Sequence, residues 1–222
     1  MTTSIVGSLI RKDLYLMRGA MLAAILSGSF ALALMPISRI LSYVGAVTLI
    51  CVLIVLNIYL VMYGVAQERK EKTLLFILSL PVSAMDYTLA KVMATGIAFG
   101  VPWLFLTVAT AITIVVSPIP NGALPYWITL LCYLLAYYCA LLGIALAKDS
   151  TGWHAAAITI GNISVNFLIP ILLSRPSVSA HGEGPVAVWS QDLVVILVVE
   201  LMAGFAVLGY GIYAHARRQD FV

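Results

Sequence analysis

The sequence predicts an all-α integral membrane protein with six transmembrane helices. Three observations carry that prediction: the composition, the length of the uncharged runs and the placement of the positive charges. Of 222 residues, 63% are hydrophobic and 9% charged, whereas an ordinary soluble domain has roughly a quarter charged residues. A soluble core cannot hide that much apolar surface. A bilayer core about 30 Å thick takes about 20 apolar residues of helix, so the long uncharged runs read as spans rather than buried strands.

In chain order the runs cover 20–37, 41–66, 88–116, 124–147, 153–173 and 193–214. One membrane domain therefore accounts for residues 1–222. The first residues lack the basic, then apolar, then small-residue order of a cleaved signal, so the first run is expected to stay in the protein. With six alternating spans, Arg11, Lys12, Arg18, Arg69, Lys70, Lys72, Lys91, Lys148, Arg217 and Arg218 share one side, and only Arg39 and Arg175 take the other. This bias predicts that both termini, and the connections after the second and fourth spans, are cytoplasmic. Tyr126, Trp127, Trp153, Trp189 and Tyr213 fall near span ends and are expected to form interfacial belts.

Two cytoplasmic stretches stand out. Residues 1–18 set Ile5, Leu9 and Leu16 beside Arg11, Lys12, Asp13 and Arg18. That pattern suits an amphipathic helix lying in the inner interface near anionic headgroups, or equally a charged helical lead-in to span one. The connection 67–86 is charged, then apolar, then broken: Glu68, Arg69, Lys70, Glu71 and Lys72 precede Leu74 to Leu80, and Pro81 follows. Its apolar run is too short to cross a bilayer, which predicts a short helix docking on something. Ser83 and Asp86 then match the start of the next helix, with Ser83 as a cap and Asp86 favoured by the helix dipole.

Within the spans, Asn57, Asn162, Asn166 and Glu200 need hydrogen-bond partners or water, because an unpaired amide or carboxylate in hydrocarbon is costly. Asn162 and Asn166 are four apart and share a helix face, which Ala157 and Gly161 extend with small residues. Glu200 lies about 12 Å into span six at 1.5 Å per residue, and a hydrogen-bonded or neutral role is expected for it rather than a proton relay. Gly96 and Gly100 form a GxxxG pair expected to permit close helix packing. Cys51, Cys132 and Cys139 sit in apolar runs, so neither a disulfide nor a metal site is expected. No phosphate-binding G-x-x-x-x-G-K-[ST] loop occurs, and His154, His181 and His215 are scattered, so no catalytic residue is expected and any ATP hydrolysis belongs to another chain.

At residues 67–91 the sequence resembles the permease subunit of bacterial type-2 ATP-binding-cassette exporters. Glu68 and Glu71, Thr73, the leucine-rich turn to Leu80, Pro81, Val82, Ser83 and Lys91 match that family's pattern, as does Lys12-Asp13-Leu14 with Arg18; Lys72 stands where the family usually has glycine. The resemblance implies a cytoplasmic coupling helix between spans two and three. Through it, Glu68, Arg69, Glu71, Thr73, Leu74, Leu75, Leu78, Leu80 and Pro81 would contact a separate ATPase subunit that binds ATP and Mg. It further implies a second permease subunit, as a homodimer or heterodimer, with Asn57, Asn162 and Asn166 at the translocation path or dimer seam. The expected location is the bacterial plasma membrane, with membrane lipids as partners and no nucleic acid. An amphipathic or antimicrobial peptide is the favoured cargo over other hydrophobic compounds. A secondary transporter, or a non-transporting immunity or scaffold protein, is the competing expectation.

Overall fold

The chain folds into an all-α membrane bundle. The computed structural model describes residues 2–67, 84–148 and 150–217, and among these there is no strand. The helices are α1 (Thr2–Leu34), α2 (Arg39–Val61), α3 (Ala84–Val116), α4 (Leu124–Ala147), α5 (Thr151–Leu173), the short α6 (Pro176–His181) and α7 (Gln191–Ala216). All but α6 are long and apolar enough to cross a bilayer.

The ends follow local chemistry. The Ser38 and Ser190 side chains accept the backbone N–H of Leu41 and Leu193, capping α2 and α7. Asp86 lies in the first turn of α3, as expected from the dipole. Residues 2–18 do not form a helix of their own: with no proline to break it, α1 runs unbroken through Arg18 and Gly19 into span one. The charged lead-in is thus the arrangement found. At 1.5 Å per residue α1 is about 50 Å long, which exceeds the hydrocarbon thickness and carries Arg11, Lys12 and Arg18 beyond the apolar run. Between α2 and residue 68 the helix widens into a π-helical turn, Met62–Gln67.

α4 is the central post: 72% of its span is buried, against 17% for α5 and 11% for α7. The most extensive contact joins α4 and α7, followed by α1 with α3 and α1 with α2. The α4–α7 seam is made by glycines. A Cβ on Gly204 would lie 2.6 Å from the Ala136 carbonyl oxygen, and one on Gly211 would strike the backbone of Gly143. The seam therefore brings two backbones together, as small residues permit in membranes. By contrast, a Cβ at Gly96 or Gly100 would meet nothing within 4 Å among the described residues, so the GxxxG pair packs against no described helix of this chain. The sequence pattern could not say which glycines face a neighbour.

Two apolar clusters share α4. One holds Met17, Leu56, Leu60, Phe99, Tyr138 and Leu142, with Phe99 stacked on Tyr138 at 4.3 Å. The other holds Leu32, Leu49, Leu106, Trp127, Val178 and Leu193. Trp127 is buried in that second cluster and so is a core residue rather than a belt residue, while Trp153, Trp189 and Tyr213 are exposed. Lys148 approaches the Trp153 ring and Arg217 the Tyr213 ring, as interfacial pairs do.

Candidate functional site

The helices bring Arg11, Lys12, Asp13, Arg18, Lys91, Lys148 and Arg217 to one end of the bundle, called here the basic end. Phe99 on Tyr138 aligns α3 with α4, and Gly211 on Gly143 aligns α4 with α7. At this end Lys91 Nζ of α3 donates to Asp13 Oδ2 of α1 at 2.6 Å, with both side chains about 5% exposed. Asp13 Oδ1 lies 3.3 Å from Lys12 Nζ, whose side chain is half exposed. A charge-assisted bond this short and this shielded is strong because both buried charges are matched, with Lys12 adding a second cation beside Asp13.

The surroundings hold the pair in place. Thr95, one turn beyond Lys91, donates its hydroxyl to the Lys91 carbonyl at 2.8 Å. Gly64, in the π-helical turn, lies where a Cβ would come within 2.6 Å of Met17 Cε and 2.9 Å of Thr95 Cγ2. Met17 is one turn along α1 from Asp13. Three elements therefore converge: α1, the turn that ends α2, and the start of α3. Residues 68–83 lie between the last two, so both their flanks rest on α1.

The predicted contact residues Glu68, Arg69, Glu71, Thr73, Leu74, Leu75, Leu78, Leu80 and Pro81 lie outside the described residues. Of the N-terminal group, Asp13 is buried, and Arg11, Lys12 and Arg18 are exposed, Arg18 lying over the Tyr15 ring at 3.9 Å. Sequence reasoning singled out Asp13 and Lys91 separately and missed that they bond. The available signal was two opposite charges, on two spans that start from the same side, in a chain with few charges.

The membrane amides are placed apart. Asn57 is 1% exposed and neither amide atom finds a hydrogen-bond partner among the described residues. Asn162 Oδ1 is likewise buried without one, whereas Asn166 is exposed and donates to the Asn162 carbonyl at 2.9 Å. No hydrogen bond joins Asn57 to either. Helices α4 and α5 are instead tied by tyrosines: Tyr133 bonds Ser164, Tyr137 donates to the Ile158 carbonyl at 3.2 Å, and the Tyr137 ring fills the space at Gly161. Both carboxylate oxygens of Glu200 are shielded and unpartnered among the described residues, within electrostatic reach of Cys132 and Tyr133.

The opposite end is closed by a folded cap. The Gly122 amide donates to the Gly184 carbonyl at 3.0 Å, Ser190 donates to Ser177 at 2.8 Å, and Val178 of α6 is buried in the second apolar cluster. Among the described residues no three His, Cys, Asp or Glu side chains gather as a metal site, and the three cysteines are unpaired. No protein-family model, curated protein or solved structure matches this chain.

Proposed function

We propose that the chain is the membrane-spanning subunit of an ATP-driven exporter. It works as a homodimer or heterodimer with separate ATP-binding-cassette ATPase subunits that bind ATP and Mg. It sits in a bacterial plasma membrane with both termini cytoplasmic, and the N-terminal stretch of α1 lies at the inner interface. Residues 67–86 are the coupling segment gripped by the ATPase. Asn57, Asn162 and Asn166 line the path or the dimer seam, and the cargo is an amphipathic peptide or another hydrophobic compound.

The observation that carries the reading is the buried Asp13–Lys91 ion pair. Because the elements on either side of this segment bear on α1 through Gly64 and Lys91, a displacement of the segment would be passed to α1. Packed helices respond to such a displacement as rigid bodies, so a push at residues 68–83 becomes a shift of span one against its neighbours. Support also comes from the matched residues Glu68, Glu71, Thr73, Pro81 and Lys91, and from the positive charge concentrated on one side.

The test is co-expression with candidate ATP-binding-cassette ATPases, purification of the complex and measurement of ATP turnover with and without peptide in liposomes. The expected result is co-purification and cargo-stimulated turnover, both lost when residues 68–83 are replaced by a glycine-serine linker. Cargo movement by the purified chain with no ATPase present would overturn the reading. It would favour a secondary transporter, to which Glu200, shielded and unpartnered among the described residues, points.

A further inference from the structure

Glu200 lies about 12 Å into its span, close to the middle of a bilayer core about 30 Å thick. It stands one turn before Gly204, on the face of α7 that meets α4. Glu200, Gly204 and Gly211 repeat the spacing of Cys132, Ala136 and Gly143 on α4, and at the last two pairs the backbones touch. Beside this tight seam both carboxyl oxygens are shielded and find no hydrogen-bond partner among the described residues. The surrounding helices offer no cation. Helices α4, α5 and α7 carry no Lys or Arg, and Lys91 of α3 is held by Asp13 at the basic end.

Donors are equally scarce. The titratable groups that face Glu200 are Cys132 and Tyr133 of α4. Those of α3, which are Asp86, Tyr87 and Lys91, and His154 of α5 stand at the starts of their helices, toward the basic end. Ser164 donates its hydroxyl to the Gly161 carbonyl at 2.8 Å, so in its bond with Tyr133 it accepts, and the Tyr133 proton is committed there. The Tyr133 oxygen is left with a lone pair to offer and nothing to donate, and the Cys132 thiol is a weak donor. A bare carboxylate only accepts, so it would hold its charge in hydrocarbon with no donor to replace its lost hydration. A carboxylic acid brings its own O–H, and the idle Tyr133 oxygen is the acceptor it needs.

We infer that Glu200 is a proton-binding site in the middle of the membrane, its O–H turning toward Tyr133 to complete a hydrogen-bonded chain from α7 through α4 to α5. The ligand is a single proton. Glu200 is the donor at one end, Tyr133 and Ser164 each accept one bond and donate the next, and the Gly161 carbonyl closes the chain. The site stands whether or not an ATPase drives the protein, and its test contains none.

The experiment is infrared spectroscopy of the full chain in phosphatidylglycerol vesicles at neutral pH, compared with Glu200→Gln. The unchanged chain should show a carboxylic-acid carbonyl stretch that shifts on exchange into heavy water and is lost in Glu200→Gln. Tyr133→Phe should keep that band and move it to higher frequency, because the acid then has no oxygen to bond. Asp192→Asn, at the exposed start of α7, should leave the band as it is. If Glu200→Gln does not give folded protein by helical content and a single elution peak, the unchanged chain with isotope-labelled glutamate supplies the readout. Glu68, Glu71 and Glu183 lie outside the spans, so an isotope-shifted acid band belongs to Glu200. Loss of carboxylate bands alone in Glu200→Gln, or labelled glutamate that is wholly ionised, overturns the site. An acid band that Tyr133→Phe leaves unmoved overturns the chain to α5.

Discussion

At the basic end, α1, the π-helical turn and α3 meet on a charge pair, Asp13 with Lys91, wedged beside Gly64 and Thr95. At the opposite end, α4, α6 and α7 meet on neutral groups: a backbone bond from Gly122 to Gly184, a hydroxyl pair at Ser177 and Ser190, and buried Val178. The difference is one of how each closure fails. A neutral closure weakens by degrees as contacts are removed. An ion pair in low dielectric fails all at once, because separating it leaves buried charge uncompensated. Under the proposed function, the end that flanks residues 68–83 is the one that would pass movement on, and the capped end the one that would stay fixed.

The sharpest way to break this contrast is Lys91→Met, which takes from Asp13 its buried partner and leaves it only the half-exposed Lys12 at 3.3 Å. It should cost about 3–5 kcal/mol in a denaturant titration in micelles. Asp13→Leu combined with Lys91→Met should restore most of that loss, since a well-packed apolar pair replaces the charges. If the reading of the basic end is right, the double variant is stable yet fails to pass movement on, giving an ATPase complex whose turnover ignores cargo. A stable and fully active double variant would show that the charges do nothing beyond packing.

Gly122→Leu tests the other closure. A Cβ there meets the His181 carbonyl, so the cap must shift, at a cost of about 1–3 kcal/mol typical of overpacking. The effect should be confined to the cap, seen as faster proteolysis within 174–190 with helical content unchanged. Between the two ends, Asn57→Leu should raise stability by about 1–2 kcal/mol, because it removes a buried amide that has no partner among the described residues. If Asn57 belongs to the path, transport falls while stability rises; stability falling instead would mean that the amide is bonded within an assembly. The smallest change is Ser177→Ala, which removes one partly buried hydroxyl pair and should cost about 0.5–1.5 kcal/mol by thermal melting.

The six spans were legible because the bilayer imposes length and apolarity on each segment separately, so runs such as 153–173 and 124–147 match α5 and α4 at their ends. What needed three dimensions was everything that depends on rotation about a helix axis. Trp127 looked like a belt residue from its place at a span end, yet it turns inward. Gly96 and Gly100 had the spacing of a packing motif, while the working seam is Gly204 and Gly211 on Ala136 and Gly143. In a uniformly apolar helix, periodicity carries almost no signal about which face is covered. Asp13 and Lys91 could be located near the same side, but 78 positions of chain separate them, and only the packing of α1 on α3 makes them one site.

The wide turn from Met62 to Gln67 has a mechanical corollary. A π-helical turn accommodates one residue more than α geometry needs. Sliding that surplus along the chain re-indexes each residue it passes by about 100° and 1.5 Å. Under the proposed function, the turn at the exit from span two could therefore rotate side chains between Met62 and Gln67 while Leu56 and Leu60 stay seated in their cluster.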